Sequence, residues 1–377
     1  MHDNEYVNEL IEVLKLLGTN KEQAVDHYSR RVFIFIKNIS IQELDAIVCQ
    51  DELEQMAVYP IILGVLFKNG DVCRISRIID EELLPCLIGN KRVHDYFVGL
   101  IVKFFYLARK SQGIDCSALF SLLVTNRELG NEHTVSVITN CLLDMLVSNK
   151  IFQRIQSKVC TASEQARYSY YTGIISMVEG MYDEALRNFH TSVVLSSSKG
   201  LVDAAEKRII LCMLLNSNYS IPYKYKRGHK AYFELVSAVK RADLKTFEEV
   251  LERNKQEYVT QGVYFVARRL MQNVIQEGIR KISIVYSRIS CNDIACLLGI
   301  DAEEVEYVVK RTMRKGLVRG QVVNGVFYSM KETKNRCDIG IGIQDCVHLT
   351  RYIQEHMRYP AIEPLCYEKI KKAGMSE

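Results

Sequence analysis

Residues 286–330 read YSRISCNDIACLLGIDAEEVEYVVKRTMRKGLVRGQVVNGVFYSM. Tyr286-Ser287-Arg288-Ile289 is short and extended in character. Ser290 stands where a helix needs a cap, and Asp293, three residues on, completes a capping box before Ile294, Ala295, Leu297 and Leu298. Gly299 supplies the tight turn of a helix-turn-helix. Asp301, with Glu304 three residues later, opens a second helix striped by Val305, Val308, Val309, Thr312 and Met313, and Gly316 ends it. The period then switches: Val318–Val323, Asn324-Gly325 and Val326–Met330 form a two-residue hairpin signal. Upstream, Tyr264–Ile284 carries Phe265, Leu270, Val274, Ile275 and Ile279 at helical spacing. Helix, strand, helix, turn, helix, hairpin is the order of a winged helix, spanning residues 264–335.

A winged helix can read DNA with the N-terminal part of its second helix. Here that part carries Asp301, Glu303, Glu304 and Glu306, which phosphate would repel. The basic residues Lys310, Arg311, Arg314 and Lys315 come last, the arrangement the helix dipole favours without any ligand. The wing, Val322–Tyr328, has no Arg or Lys at its tip. A nucleic-acid partner is therefore the weakest of the readings, although a winged-helix nucleic-acid binder stays an alternative.

Working outward, the N-terminal half reads as stacked antiparallel helices. Val7, Leu10, Ile11, Leu14 and Leu17 lie on one face of a helix that Gly18 is expected to cap. Similar blocks recur at Ile41–Ala57, Pro60–Lys68, Asp95–Arg109, Ser117–Leu123 and Thr134–Ser148, separated by links such as Lys68-Asn69-Gly70 and Leu129-Gly130-Asn131. Over Arg167–Val194, Gly173, Gly180, Tyr182, Ala185 and Phe189 follow the small and aromatic spacings of a tetratricopeptide-like helix pair. The small residues let two helices approach, and the aromatics fill the groove between them. A second unit at Tyr232–Leu251 would use Ala238, Ala242 and Phe247 in the same way. The expected class is mainly α: a helical-repeat solenoid, a winged helix, and a C-terminal helix. The expected domains are residues 1–160, N-terminal repeats; 161–335, of which 161–263 are repeats and 264–335 the winged helix; and 336–377, a C-terminal helix and tail.

Composition narrows function. The 377 residues are 48 % hydrophobic and 25 % charged with net charge +4, too little to demand nucleic acid. No stretch has the ~18 consecutive apolar residues of a membrane span, and Met1–Asn4 does not open a signal peptide. That predicts a cytoplasmic and nuclear protein, its twelve cysteines reduced. No Cys-x-x-Cys pair exists, and neither Cys291 with Cys296 nor Cys346 with His348 supplies the four ligands zinc needs. His-x-His zinc-hydrolase and Gly-Lys-Ser/Thr phosphate-loop patterns are absent. No catalytic, cofactor or metal residue is assigned, and no small-molecule substrate or membrane partner is expected. Lys224-Tyr225-Lys226-Arg227 reads as a solvated basic loop, with contact to an acidic partner or RNA as the other possibility.

Helical repeats running into a winged helix, together with particular stretches, resemble the PCI-domain family. These stretches are Tyr286–Ser290 with Asp293-Ile294-Ala295 and Leu297-Leu298; Arg167-Tyr168, Tyr170-Tyr171 and Gly173; Tyr232–Leu235, Ala238-Val239, Asp243-Leu244, Phe247 and Val250-Leu251; Arg269-Leu270 and Asn273–Ile275; and Met357–Pro360. They span about half of the chain and are most similar to those of proteasome lid subunits. Signalosome and translation initiation factor three scaffolds, built on the same domain, are the alternative. The chain is short for such a subunit, and the shortfall lies in its N-terminal half.

The resemblance implies a non-catalytic scaffold in the lid of the 26S proteasome regulatory particle, supporting its assembly and ubiquitin-dependent protein degradation. The implied partners are other PCI-domain lid subunits and the lid deubiquitinase module. Winged helices would join side by side through an edge that includes Tyr286, Arg288, Ile289, Val322 and Val326. The last helices would gather into a bundle. Ile339, Ile343, Cys346, Leu349, Ile353 and His356 step by four, three, three, four and three, a heptad-like seam suited to that docking. Gly340 and Gly342 weaken its first turn, so the helix is expected to form on assembly or to fold back on the winged helix.

Overall fold

The computed structural model describes residues 5–47, 49, 51–83, 92–110, 116–222, 225, 229–330, 346, 347 and 349–351. They fall into two units, one reaching Asn273 but without Ala242–Leu244, the other holding Ala242–Leu244 and the residues from Val274 onward.

The first unit is a run of helices: α1 Glu5–Thr19, α2 Lys21–Asn38, α3 Ile41–Asp45, α4 Glu52–Asn69, α5 Val72–Ile78, α6 Asp95–Arg109, α7 Cys116–Leu129, α8 Glu132–Ser148, α9 Ala162–Glu179, α10 Tyr182–Leu195, α11 Lys199–Leu215, α12 Lys230–Arg241, α13 Leu244–Arg253, α14 Lys255–Thr260 and α15 Tyr264–Arg269. Successive helices pack on one another, α1 on α2, α8 on α9, α9 on α10 and α10 on α11, and α6 lies against α8. The amphipathic faces read from sequence close into a continuous core from Leu10 through Tyr28, Phe35, Ile61 and Phe97 to Leu142 and Met145.

Several boundaries differ from expectation, each for a local reason. Gly18 lies inside α1 rather than after it, because Asn20 N–H still bonds Leu16 C=O and the Asn20 side chain caps α2. Ile41–Ala57 is not one helix: α3 ends at Asp45, and a new start at Glu52 runs straight through Pro60 to Asn69. The missing proline N–H is tolerated because Met56, Ala57, Pro60, Ile61, Leu63 and Leu66 all bury. Tyr264–Ile284 is likewise two helices. Leu270 N–H bonds Ala267 C=O and Asn273 N–H bonds Leu270 C=O, three-residue bonds that tighten the chain there and leave Leu270 fully buried. Ala242, expected as a packing residue, instead adopts φ +57 between α12 and α13.

The second unit starts with α16, Met271–Val285, which is shared with the first unit up to Asn273. It continues through β1 Arg288–Ser290, α17 Cys291–Leu298, α18 Ala302–Arg314, β2 Gly320–Val323 and β3 Val326–Ser329. Its core is Ile279, Ile282, Ile289, Ile294, Val305, Val309, Val318 and Phe327. Ser290 caps α17 as read, its hydroxyl accepting from Asp293 N–H at 3.1 Å and donating to the Asp293 carboxylate at 2.7 Å. Asp301 occupies the cap position of α18 but makes no side-chain cap bond. Gly299 turns at φ +67, and Asn324 and Gly325 sit at φ +51 and +73, the type I′ geometry their sequence calls for.

Candidate interaction surface

The sheet order is β1-β3-β2, all antiparallel. β3 is thus central, while β1 and β2 each keep one side without a strand among the described residues. Which backbone groups point outward follows from the ladder. Met330 N–H bonds Arg319 C=O, so the alternation makes Gln321–Tyr328 and Val323–Val326 the bonded pairs across β2 and β3. The N–H and C=O of Gly320 and Val322 therefore face away from β3, on the open edge of β2. Ser329 N–H bonds Ser287 C=O and Cys291 N–H bonds Gly325 C=O, which turns the backbone of Arg288 and Ser290 outward on β1 in the same way.

The five residues expected at the edge therefore take different places. Val322 presents its main chain outward, while its side chain packs against the core. Arg288 is exposed on β1, its guanidinium 5.4 Å from the ring centre of its cross-strand partner Tyr328. Tyr286 is 44 % exposed beside β1. Ile289 is buried opposite Phe327, and its N–H and C=O face β3, so it offers a partner neither its side chain nor its main chain. Val326 lies on the central strand, both of whose sides are occupied, so it offers a side chain and no free backbone edge.

The structure adds residues that strand reasoning missed. Ile284 and Val285, 69 % and 72 % exposed, continue into Tyr286 as an uncovered apolar run. Next to it a groove of 570 Å³ is lined by Tyr286, Arg288, Asp293, Cys296, Leu297 and Val326. The run of large apolar residues at a helix end was visible in sequence. That Leu297 joins them depends on how α17 folds back beside β1.

Of the C-terminal seam, Cys346 and Leu349 are helical and exposed, Leu349 by 58 %, and the Thr350 hydroxyl donates to Cys346 C=O at 2.7 Å. Ile339, Ile343, Ile353 and His356 lie outside the described residues, as do Lys224, Lys226 and Arg227. Among the described residues no helix is long and apolar enough to cross a membrane.

A model of the PCI domain matches residues 244–328, the stretch that ends in the three-stranded sheet. The chain is 64 % identical over 372 residues to the 26S proteasome regulatory subunit RPN3 of Encephalitozoon cuniculi, covering 99 % of both chains. The chain belongs to the 26S proteasome regulatory subunit RPN3 family. The probable 26S proteasome non-ATPase regulatory subunit 3 of Anopheles stephensi is 30 % identical over 291 residues, 68 % of this chain and 56 % of that protein. RPN3 of Saccharomyces cerevisiae is 30 % identical over 172 residues, which cover 33 % of it. The short form is thus shared in full with the Encephalitozoon protein, and the alignments take in about half or less of the longer family members.

Proposed function

We propose that this chain is a non-catalytic scaffold subunit of the lid of the 26S proteasome regulatory particle, residing in cytoplasm and nucleus. There it would support lid assembly and, through it, ubiquitin-dependent protein degradation. Its winged helix would join PCI-domain neighbours by strand addition at the open edge of β2 and by contact with the Ile284–Tyr286 run beside β1. Its last helix would enter a bundle with other lid subunits and so meet the deubiquitinase module.

The observation that carries this reading is the pair of open strand edges, one flanked by uncovered apolar side chains. An exposed edge is a template for another strand, and proteins that do not use one blunt it with charge, proline or cover. β2, Gly320-Gln321-Val322-Val323, carries neither charge nor proline, and no further strand pairs with it among the described residues. The acid-led α18, with Glu303 and Glu304 exposed in its first turn, speaks against phosphate as the alternative partner.

The test is purification of the tagged full chain from its own cells, with identification of what comes with it. Recovery of PCI-domain lid subunits in stoichiometric amount is the expected result. A lone monomer, or companions drawn from the signalosome or the initiation factor, would overturn it.

A further inference from the structure

In the first unit, α6, α8, α9 and α11 line an open cavity of 370 Å³ on which Lys103, Asn140, Asp144, Arg167 and Tyr171 converge. Behind it Glu164 is buried, its carboxylate accepting from Asn140 Nδ2 at 2.7 Å and lying 3.7 Å from Lys103 Nζ and 3.9 Å from the Arg167 guanidinium. Asp144 accepts from the Tyr106 hydroxyl and pairs with Lys110. Burying ionic groups is costly, and apolar side chains of similar volume would serve stability as well. A cavity where such groups converge is where binding is expected.

Two features define what would fit. Three cations, Lys103, Lys110 and Arg167, face two carboxylates, Glu164 and Asp144, which leaves one positive charge in excess. The excess sits at Lys103 and Arg167, which share a single carboxylate. Burial and the neighbouring Arg167 push the Lys103 ammonium below its ordinary pKa, so it gains from a second anion. Arg167 is the exposed member, its side chain 40 % accessible, and it donates no hydrogen bond to any described residue. Its planar fork is therefore open to a carboxylate. A phosphate would bring more negative charge past Asp144 than the surplus can balance. Leu107, Leu201 and Ala204 give the cavity an apolar wall. A chain end brings a single carboxylate, which matches the single surplus charge, and passes only one strand of backbone into the cavity.

We infer that this cavity holds the C-terminal end of a partner polypeptide, its α-carboxylate on Arg167 and Lys103 and its last side chain against Leu107 and Leu201. The inference rests on the scaffold reading only in taking the ligand to be a polypeptide, and its test does not depend on which companions the chain recovers. The full-length protein is exposed to N-acetylated peptides randomised at their last residues, made as free acids, as C-terminal amides, and as amides carrying an internal glutamate. The free acids are expected to bind, and the best sequences to lose about tenfold or more as amides. Arg167→Gln and, independently, Lys103→Met should weaken the free acids toward the amide level while leaving the circular dichroism unchanged. Equal binding of acid and amide, binding of internal glutamate as strong as that of the acid, no binding of any peptide, or an Arg167→Gln protein of normal affinity would each overturn the inference.

Discussion

A β-carbon on Gly173 would stand 2.8 Å from the ring of Phe189, which is itself fully buried. The glycine on α9 and the aromatic on α10 thus form one close-packed contact, the contact that lets these helices pack as a repeat. Gly173→Ala should destabilise the first unit by about 1–2 kcal/mol, because overpacking outweighs the roughly 1 kcal/mol that alanine returns in helix propensity. Chemical denaturation followed by circular dichroism measures it. An unchanged or raised midpoint would show that Phe189 has room to move.

Proline substitutions separate the two sides of β2. Val322→Pro removes an N–H that points away from β3, so it should leave the hairpin intact and reduce recovery of lid subunits about tenfold. Gln321→Pro removes an N–H inside the ladder and should cost about 3 kcal/mol or more of winged-helix stability. If Val322→Pro recovers partners as well as the unchanged chain, strand addition does not occur at β2.

Deletion of residues 339–357 should leave helical content nearly intact while abolishing entry into the complex, since the heptad-like seam is read as a docking element. Loss of the fold on deletion would mean that the seam is internal to the chain.

Alkaline titration should expose the buried tyrosines. Burial raises the hydroxyls of Tyr28, Tyr106, Tyr171, Tyr232 and Tyr258 above their ordinary value of 10.0, and that of Tyr96 to about 12. In the unfolded chain they ionise near 10, so above that pH the unfolded state binds fewer protons and stability falls. Their contribution is complete below pH 10 and is lost progressively as pH rises toward the folded values. Tyrosinate absorbance from these six should therefore appear only well above pH 10, together with the loss of structure. A single phase near pH 10 would contradict their burial.

How much was legible beforehand varied with the range of the interactions. The bounds of α6, Asp95–Arg109, were read without error because its apolar face, acidic start and basic end are all local. The Asn324-Gly325 turn was equally plain, since few residues adopt positive φ in succession. The break at Leu270 and the passage of α4 through Pro60 were not, because in both places burial by distant neighbours overrode the local preference.

At the proposed surfaces the division is the same. The sequence determined that a winged helix would follow helical repeats, because period, caps and turn residues act within a few positions of one another. Only the tertiary structure decided that β3 lies in the middle, leaving Val322 at an edge and Val326 without one. It alone set Lys103, Asn140 and Arg167, from three separate helices, around one cavity. Strand order and cavity walls are products of long-range packing, and no local pattern encodes which distant residues will face each other.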